Sequence, residues 1–266
     1  MKIFYQSMTP VHELAGYASS LVRHCSSHCP DAQLHLNGLP AAFFEGSSPT
    51  EVYRYPYVKH KITSAVLDIG RQAEKDGYDA FVLGSFSEPF LPELRSVLNI
   101  PVTSMAESST LVACSLAEKF AFISLLPASA RRLKTIIDKH GLGMRVSGYY
   151  ALPRPITEPA LNAAFEDPTD LIANFTQAAQ TAINEGADLV IPAEGVLTEV
   201  LFSSGVRTIE KATVMDCVGA TLCHTQMLVH LQQRGGLTVG RRWAWQSPPE
   251  ELLERIHQNL AGSASS

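Results

Sequence analysis

Tyr78-Asp79-Ala80-Phe81-Val82-Leu83-Gly84-Ser85 and Ala187-Asp188-Leu189-Val190-Ile191-Pro192-Ala193-Glu194 are two versions of one design. Each is a short apolar run that ends in a polar residue, the pattern of a strand buried on both faces of a parallel sheet. Each follows a helical stretch closed by an acidic-Gly step, Asp76-Gly77 in one case and Glu185-Gly186 in the other. Downstream of each comes another short apolar run ending in an acid: Ile100 to Glu107, and Ala212 to Asp216. The same interval, 22 residues, separates Ser85 from Glu107 and Glu194 from Asp216. Two matched α/β halves would bring Ser85 and Glu194 to equivalent strand ends, facing each other across a cleft.

Outward from these runs the chain alternates strand and helix. The first half reads as strand 2–7, helix 11–28, strand 33–36, a long helix 57–75, strand 80–84, helix 89–98, strand 102–105 and helix 108–118. The second half reads as strand 120–124, helix 128–140, strand 144–150, helix 167–185, strand 189–191, helix 197–203, strand 212–215 and helix 218–233. This repetition predicts an α/β fold of two pseudo-symmetric domains, with parallel sheets flanked by helices and the active site in the interdomain cleft. The first domain is expected to comprise residues 1–105 plus 213–266, and the second residues 106–212. Ligands of such sheets bind at the carboxyl ends of the strands, where Ser85, Glu107, Glu194 and Asp216 are expected. The small polar stretch 261–266 reads as a frayed terminus.

Composition narrows the class of function. The 266 residues are 45% hydrophobic and 18% charged, as in ordinary globular proteins. A net charge of −5 offers no broad basic surface and argues against nucleic acid as a partner. No apolar run approaches the roughly 20 residues that cross a bilayer, so no membrane partner is expected. The start, Met1 to Tyr5, reads as a strand and not as a signal peptide. Five cysteines, an odd number, do not make a disulfide framework and fit a reducing cytoplasm. A homo-oligomer is left open.

At these residues the chain resembles the aspartate/glutamate/hydantoin racemase superfamily, over nearly its whole length. Phe81-Val82-Leu83-Gly84-Ser85-Phe86-Ser87-Glu88-Pro89 is similar to the hydantoin-racemase segment in which a cysteine is followed by Phe-Gly-Asp-Pro. Ile100-Pro101-Val102 leading to Glu107-Ser108 resembles the strand and helix start that follow. Gly186 to Ile191 resembles the run leading to the second cysteine, and Asp216 before Val218-Gly219-Ala220 the last strand-to-helix turn. Gln6-Ser7-Met8-Thr9 loosely resembles the Asn-Pro-Asn-Thr loop of hydantoin racemases. The resemblance implies two α/β domains around one site and proton removal and return by two cysteines, with no cofactor. It also implies that Ser85 stands at the first cysteine position and Glu194 at the second.

Those two residues are not chemically equivalent. A thiol with a pKa of about 8.5 can be tuned to carry a proton, whereas a serine hydroxyl needs an adjacent base. A carboxyl in a closed, partly apolar pocket has its pKa raised and can act as acid or base. The pair therefore points to one-faced proton transfer, of isomerase or lyase type, on a small carboxylate or hydantoin-like cyclic amide, with Glu194 as acid/base and Ser85 as hydrogen-bonding partner. Two rivals stand beside it: hydrolysis of a small amide by water activated at Glu194, and a non-catalytic small-molecule-binding protein. Gln6, Ser7, Thr9, Ser87, Glu107, Ser108, Gly195, Asp216 and Cys217 are the candidate substrate-binding residues, because hydroxyls and N–H groups at strand ends and helix starts suit an anion. Glu107 and Asp216 read equally well as acids that cap helices, and Cys217 as a small buried thiol or the second proton carrier.

Two further signals stand apart. His24-Cys25-Ser26-Ser27-His28-Cys29 has a His pair and a Cys pair at i, i+4, a spacing that can serve a metal, but no later pair has finger-like spacing. It is read as a helix end, and no metal is assigned. Arg241-Arg242-Trp243-Ala244-Trp245 reads as a cover for the cleft, a subunit contact or a solvated basic turn.

Overall fold

A computed structural model describes residues 1–263. The elements run, in chain order, β1 (Lys2–Ser7), α1 (Ala15–His28), β2 (Gln33–Asn37), α2 (Pro49–Val52), α3 (Pro56–Thr63), α4 (Ala65–Lys75), β3 (Ala80–Gly84), α5 (Leu91–Val97), β4 (Val102–Ser104) and α6 (Met105–Leu116). They continue through β5 (Phe120–Ser124), α7 (Pro127–Lys139), β6 (Val146–Ala151), α8 (Glu158–Ala163), α9 (Thr169–Asn184), β7 (Leu189–Pro192), α10 (Gly195–Ser203), β8 (Thr208–Ile209), β9 (Ala212–Val214), α11 (Cys217–Gly235) and α12 (Glu250–Ser263). The last three residues of the expected frayed stretch, 264–266, lie outside the described residues, and 261–263 belong to α12.

The first sheet has the order β2-β1-β3-β4 and the second β6-β5-β7-β9-β8. All pairings are parallel except that of β8 with β9. The orders β2-β1-β3-β4 and β6-β5-β7-β9 are the same winding, so β3 and β7 are counterparts and β8 is an antiparallel addition at one edge. β3 and β7 are the centre of this repeat. Both are entered from a helix that ends in a left-handed glycine, Gly77 at φ 77° and Gly186 at φ 99°. In both turns the N–H one residue past the glycine reaches back to the helix, from Tyr78 to the Ala73 carbonyl and from Ala187 to the Ala182 carbonyl. This six-to-one closure needs a residue without a Cβ penalty at the glycine position.

Alternation along the strands divides the core. Ile3, Tyr5 and Val82 face a large cluster that includes Phe120, Phe122, Phe175 and Val190 of the second sheet and its helices. Phe4, Phe81 and Leu83 face the other way, against Val66, Leu91, Leu94 and Leu98. Phe4 stacks on Phe81 with ring centroids 5.4 Å apart. Each fully buried Leu or Phe contributes about 1.5–3 kcal/mol. The two lobes thus share one continuous core, with α1, α6 and α11 packed together between the sheets.

Several expected boundaries move. β9 pairs with β7 in the second sheet, so the crossover into the first lobe lies beyond residue 214, not at 213. The helix expected from Val11 starts at Ala15, after a single 3-10 turn at Val11–Glu13. The helix expected over 57–75 is two helices that meet at Ser64, whose hydroxyl bonds the Lys61 carbonyl. Arg241 donates to the carbonyls of Arg95, Ser96 and Leu98, and the Arg95 guanidinium lies over the Trp245 ring at 5.1 Å. The Arg-Trp segment therefore closes the C-terminal end of α5 and does not cover the cleft.

Candidate active site

The carboxyl ends of β1, β3, β5 and β7 open onto a cavity of about 1370 Å³ lined by both lobes. From the first lobe come Ser7 and Thr9 after β1, and Ser85 and Ser87 after β3; from the second come Ser124 at the end of β5 and Glu194 and Gly195 after β7. Strand register makes two of these equivalent. Ser7 pairs with Gly84, and Ile123 pairs with Pro192. With the strand ends Ser7 and Ser124 superposed, Gly84 matches Ala193 and Ser85 matches Glu194.

The first-lobe wall is a set of hydroxyls fixed by local turns. Ser85 Oγ accepts the Ser87 N–H at 3.1 Å and lies 3.0 Å from Ser87 Oγ. Ser7 Oγ repeats the arrangement with Thr9, at 3.2 Å from its N–H and 2.9 Å from its hydroxyl. Such turns satisfy a backbone donor with the side chain two residues back. Among the described residues no ionisable base bonds Ser85 Oγ, so no such group in this wall activates it as an anion.

The second-lobe wall is different. Glu194 caps α10, with its Oε2 accepting the Leu197 N–H at 2.7 Å. Burial pushes the Glu194 carboxyl above the usual carboxylate range; the N–H groups of Leu197, Val196 and Gly195 work against that shift, and the charge of Glu158 adds to it. A carboxyl in that position exchanges a proton nearer neutrality than an exposed one. Tyr17, from α1, also lines the cavity and reaches Gly195: a Cβ built on Gly195 would lie 2.5 Å from Tyr17 Oη. Tyr17 Oη is 3.3 Å from Tyr5 Oη, and burial pushes both phenols upward, so both stay protonated. The ring of Tyr5 in turn fills the space beside Gly84. The two glycines next to Ser85 and Glu194 therefore make room for a pair of tyrosines that joins the two halves beneath the cavity.

Five of the residues expected at the site are held elsewhere, and none of them lines this cavity. Gln6 is buried, bonding the Ser7 carbonyl and the Asn37 amide. Glu107 is paired with Arg95, Nη1 to Oε1 at 3.0 Å, which holds its carboxyl below the usual range despite burial. Ser108 Oγ lies 2.8 Å from His224 Nδ1. Asp216 caps α11 at the Gly219 N–H and accepts His24 and His28 at 2.9 and 3.2 Å. Cys217 is fully buried and its thiol is pushed upward by burial. The equal interval of 22 residues also misaligns its acids. Phe81 pairs with Val102 and Val190 with Val214, which makes Ser104, not Glu107, the counterpart of Asp216. Ser104 and Asp216 are indeed both N-caps.

Sequence reasoning did not single out Tyr17, Ser124 or the carboxyl of Glu88. The Glu88 backbone is left-handed, at φ 32°, an arrangement that costs about 1 kcal/mol for a residue with a Cβ. Its carboxylate accepts Ser104 Oγ and His140 Nε2, each at 2.6 Å. It thereby ties the loop that follows Ser85 to α7 of the other lobe.

A model of the family described as Asp/Glu/Hydantoin racemase matches residues 17–222. The chain belongs to this family. Over 138 residues it is 29% identical to a hydantoin racemase of Pseudomonas sp. (strain NS671), covering 52% of this chain and 53% of that protein. A hydantoin racemase of Rhizobium meliloti is 25% identical over 166 residues, 60% of this chain and 64% of the relative. The chain thus spans between half and two thirds of the length of these two relatives. Among solved structures, allantoin racemase from Klebsiella pneumoniae superposes with a TM-score of 0.73 at 19% identity, over 93% of this chain and 94% of the other. Allantoin racemase from Pseudomonas fluorescens gives 0.74 at 17% identity, over 93% and 97%. These likenesses establish the racemase fold, two lobes of parallel sheet flanked by helices.

Proposed function

We propose that this racemase-superfamily chain is an enzyme that moves a proton at a carbon next to a carbonyl, in a small carboxylate or a hydantoin-like cyclic amide. Glu194 is the acid/base. Ser85, with Ser87, supplies hydrogen bonds to the substrate oxygen. The observation that carries this reading is the asymmetry of two equivalent positions on one cavity: a half-buried carboxyl with raised proton affinity on one side and neutral hydroxyls on the other.

In the forward direction the ionised Glu194 takes the α-proton, and the electron pair moves onto the carbonyl oxygen. Hydroxyl donors stabilise that oxygen as charge develops, which is where preorganised donors lower a barrier most. Return of the proton from Glu194 reaches the same face of the carbon. This makes the chemistry one-faced, as in an isomerase that shifts a proton or a lyase that protonates a carbanion. Hydantoins and allantoin, the compounds named for relatives and structural neighbours, are the first substrates to test.

Glu194→Gln keeps the size of the side chain and removes the proton exchange. Its expected effect is a fall in kcat of about 10²–10⁴, the range for loss of a general acid/base, with KM nearly unchanged. Ser85→Ala is expected to lower kcat by a smaller factor, since Ser87 remains. Full activity in Glu194→Gln would overturn the assignment.

A further inference from the structure

His24, His28 and Asp216 form a cluster that the cavity chemistry does not use. His24 and His28 are one helical turn apart on α1, and Asp216 is the residue that caps α11. The Nε2 atoms of both histidines point to the same oxygen, Asp216 Oδ2, at 2.9 and 3.2 Å. The three donor atoms all lie within 4.8 Å of one another. In a tetrahedral site with metal–ligand distances of about 2.0–2.1 Å, neighbouring donors stand roughly 3.3 Å apart. The cluster thus needs shifts of only a few tenths of an ångström along the two edges that meet at Asp216 Oδ2.

The surroundings of the two rings are those of metal ligands. His24 Nδ1 is 2.7 Å from Glu199 Oε1, and both side chains are fully buried. Glu199 is itself fixed by the Ser20 hydroxyl, which lies 2.9 Å from Ser203 Oγ. His28 Nδ1 is 2.8 Å from Ser27 Oγ and 3.2 Å from the His24 carbonyl. A carboxylate or a backbone carbonyl on the distal nitrogen is the usual outer partner of a metal-bound imidazole, because it sets the tautomer that leaves Nε2 free to coordinate. Phe202 stacks on His24 with centroids 3.7 Å apart and closes the inner side. His28 and Asp216 are 30% and 24% exposed, which provides a route in from solvent. Gly219 completes the space: a Cβ there would collide with Asp216 Oδ2 and lie 3.0 Å from His28 Cδ2.

We propose that His24 Nε2, His28 Nε2 and Asp216 Oδ2 bind one divalent transition-metal ion, with zinc the preferred occupant for two imidazoles and one carboxylate. The ion replaces the proton that otherwise lies between His24 and Asp216, and water fills the fourth position. It ties α1 to the start of α11, away from the cavity that holds Ser85 and Glu194. Its role is structural, and it does not depend on the reaction proposed for that cavity.

The test uses the full-length chain, stripped with a chelator and titrated with ZnCl2 against a competing metal indicator. The expected result is one high-affinity equivalent per chain with a Kd below about 1 μM, and a rise in Tm of about 5 °C or more at a hundredfold excess over Kd. Cobalt in place of zinc should give visible absorption typical of a four-coordinate N/O site. His28→Gln, at a partly exposed position, should fold with an unchanged circular dichroism spectrum and lose at least tenfold in affinity. Asp216→Asn, which preserves an N-cap oxygen, should weaken binding in the same way. Absence of a stoichiometric high-affinity site in the wild type, or equal affinity in a folded variant, would overturn the proposal.

Discussion

Gly195→Ala tests the contact that joins the two halves beneath the cavity. The added Cβ would stand 2.5 Å from Tyr17 Oη, while ordinary contact begins at 3.4 Å. The hydroxyl must therefore withdraw by roughly 0.9 Å, an overpacking of the kind that costs about 1–3 kcal/mol. Tyr17 is 2% exposed, and its Oη already touches Tyr5 Oη at 3.3 Å, so it cannot withdraw toward Tyr5 without a second clash. Ala is a better helix residue than Gly by at most about 1 kcal/mol, and less in a first turn. The net expectation is a loss of about 1–2 kcal/mol, or a Tm lower by about 3–6 °C. Tyr17→Phe removes the colliding oxygen and one modest hydrogen bond, at about 1 kcal/mol. In that background Gly195→Ala should be close to neutral, because the next atom, Tyr17 Cζ, is 3.4 Å away. Urea denaturation of the four proteins gives the coupling by a double-mutant cycle. A coupling above about 1 kcal/mol is expected; additivity within about 0.3 kcal/mol would refute the contact and the role of the glycine.

Other consequences follow from the charge clusters, the caps and the thiols. The Glu88 carboxylate raises the proton affinity of His140 above its usual 6.5, so the stabilisation it provides is fully present below pH 6.5 and is lost as pH rises through the higher folded value. The stability advantage of the wild type over His140→Asn should accordingly shrink between weakly acidic and alkaline pH; a gap that widens with pH would contradict the pairing. Ser104→Ala removes the cap of α6 and a donor to Glu88, with an expected cost of about 1–2 kcal/mol in the same urea assay. Among the thiols, Cys223 is exposed and Cys114 half-buried, while Cys25, Cys29 and Cys217 are buried with thiols pushed upward by burial. A thiol reagent should label Cys223 rapidly, Cys114 more slowly, and the other three only after unfolding.

Much of the fold was legible because its two central strands are buried on both faces. Ala80–Gly84 and Leu189–Pro192 had to be continuous apolar runs, and Gly77 and Gly186 had to follow helices that end in a left-handed turn. The same logic put Ser85 and Glu194 at the ends of those strands, where both line one cavity. Periodicity carries no information on which acids and bases meet across the fold. Glu107 reads as a site acid, yet Arg95 and His140 take its carboxylate. Asp216 reads the same way, but its partners lie about 190 residues away on α1. The equal spacing to the two acids was a coincidence of count, and strand register aligns Ser104 with Asp216 instead. β8 is two residues long and antiparallel, too short for an alternation pattern. Tyr17 follows the buried stripe of α1 and carries no sign that its hydroxyl ends at the cavity.

The central claim is that Glu194 alone carries the proton, on one face. The direct measurement is to incubate a single enantiomer of a turned-over substrate in deuterated water and follow α-deuteration by NMR beside optical rotation. One-faced exchange predicts deuterium at the α-carbon well ahead of any loss of optical activity, and no enzymatic exchange with Glu194→Gln. Exchange and loss of rotation advancing together would contradict it, as would exchange that persists without the Glu194 carboxyl.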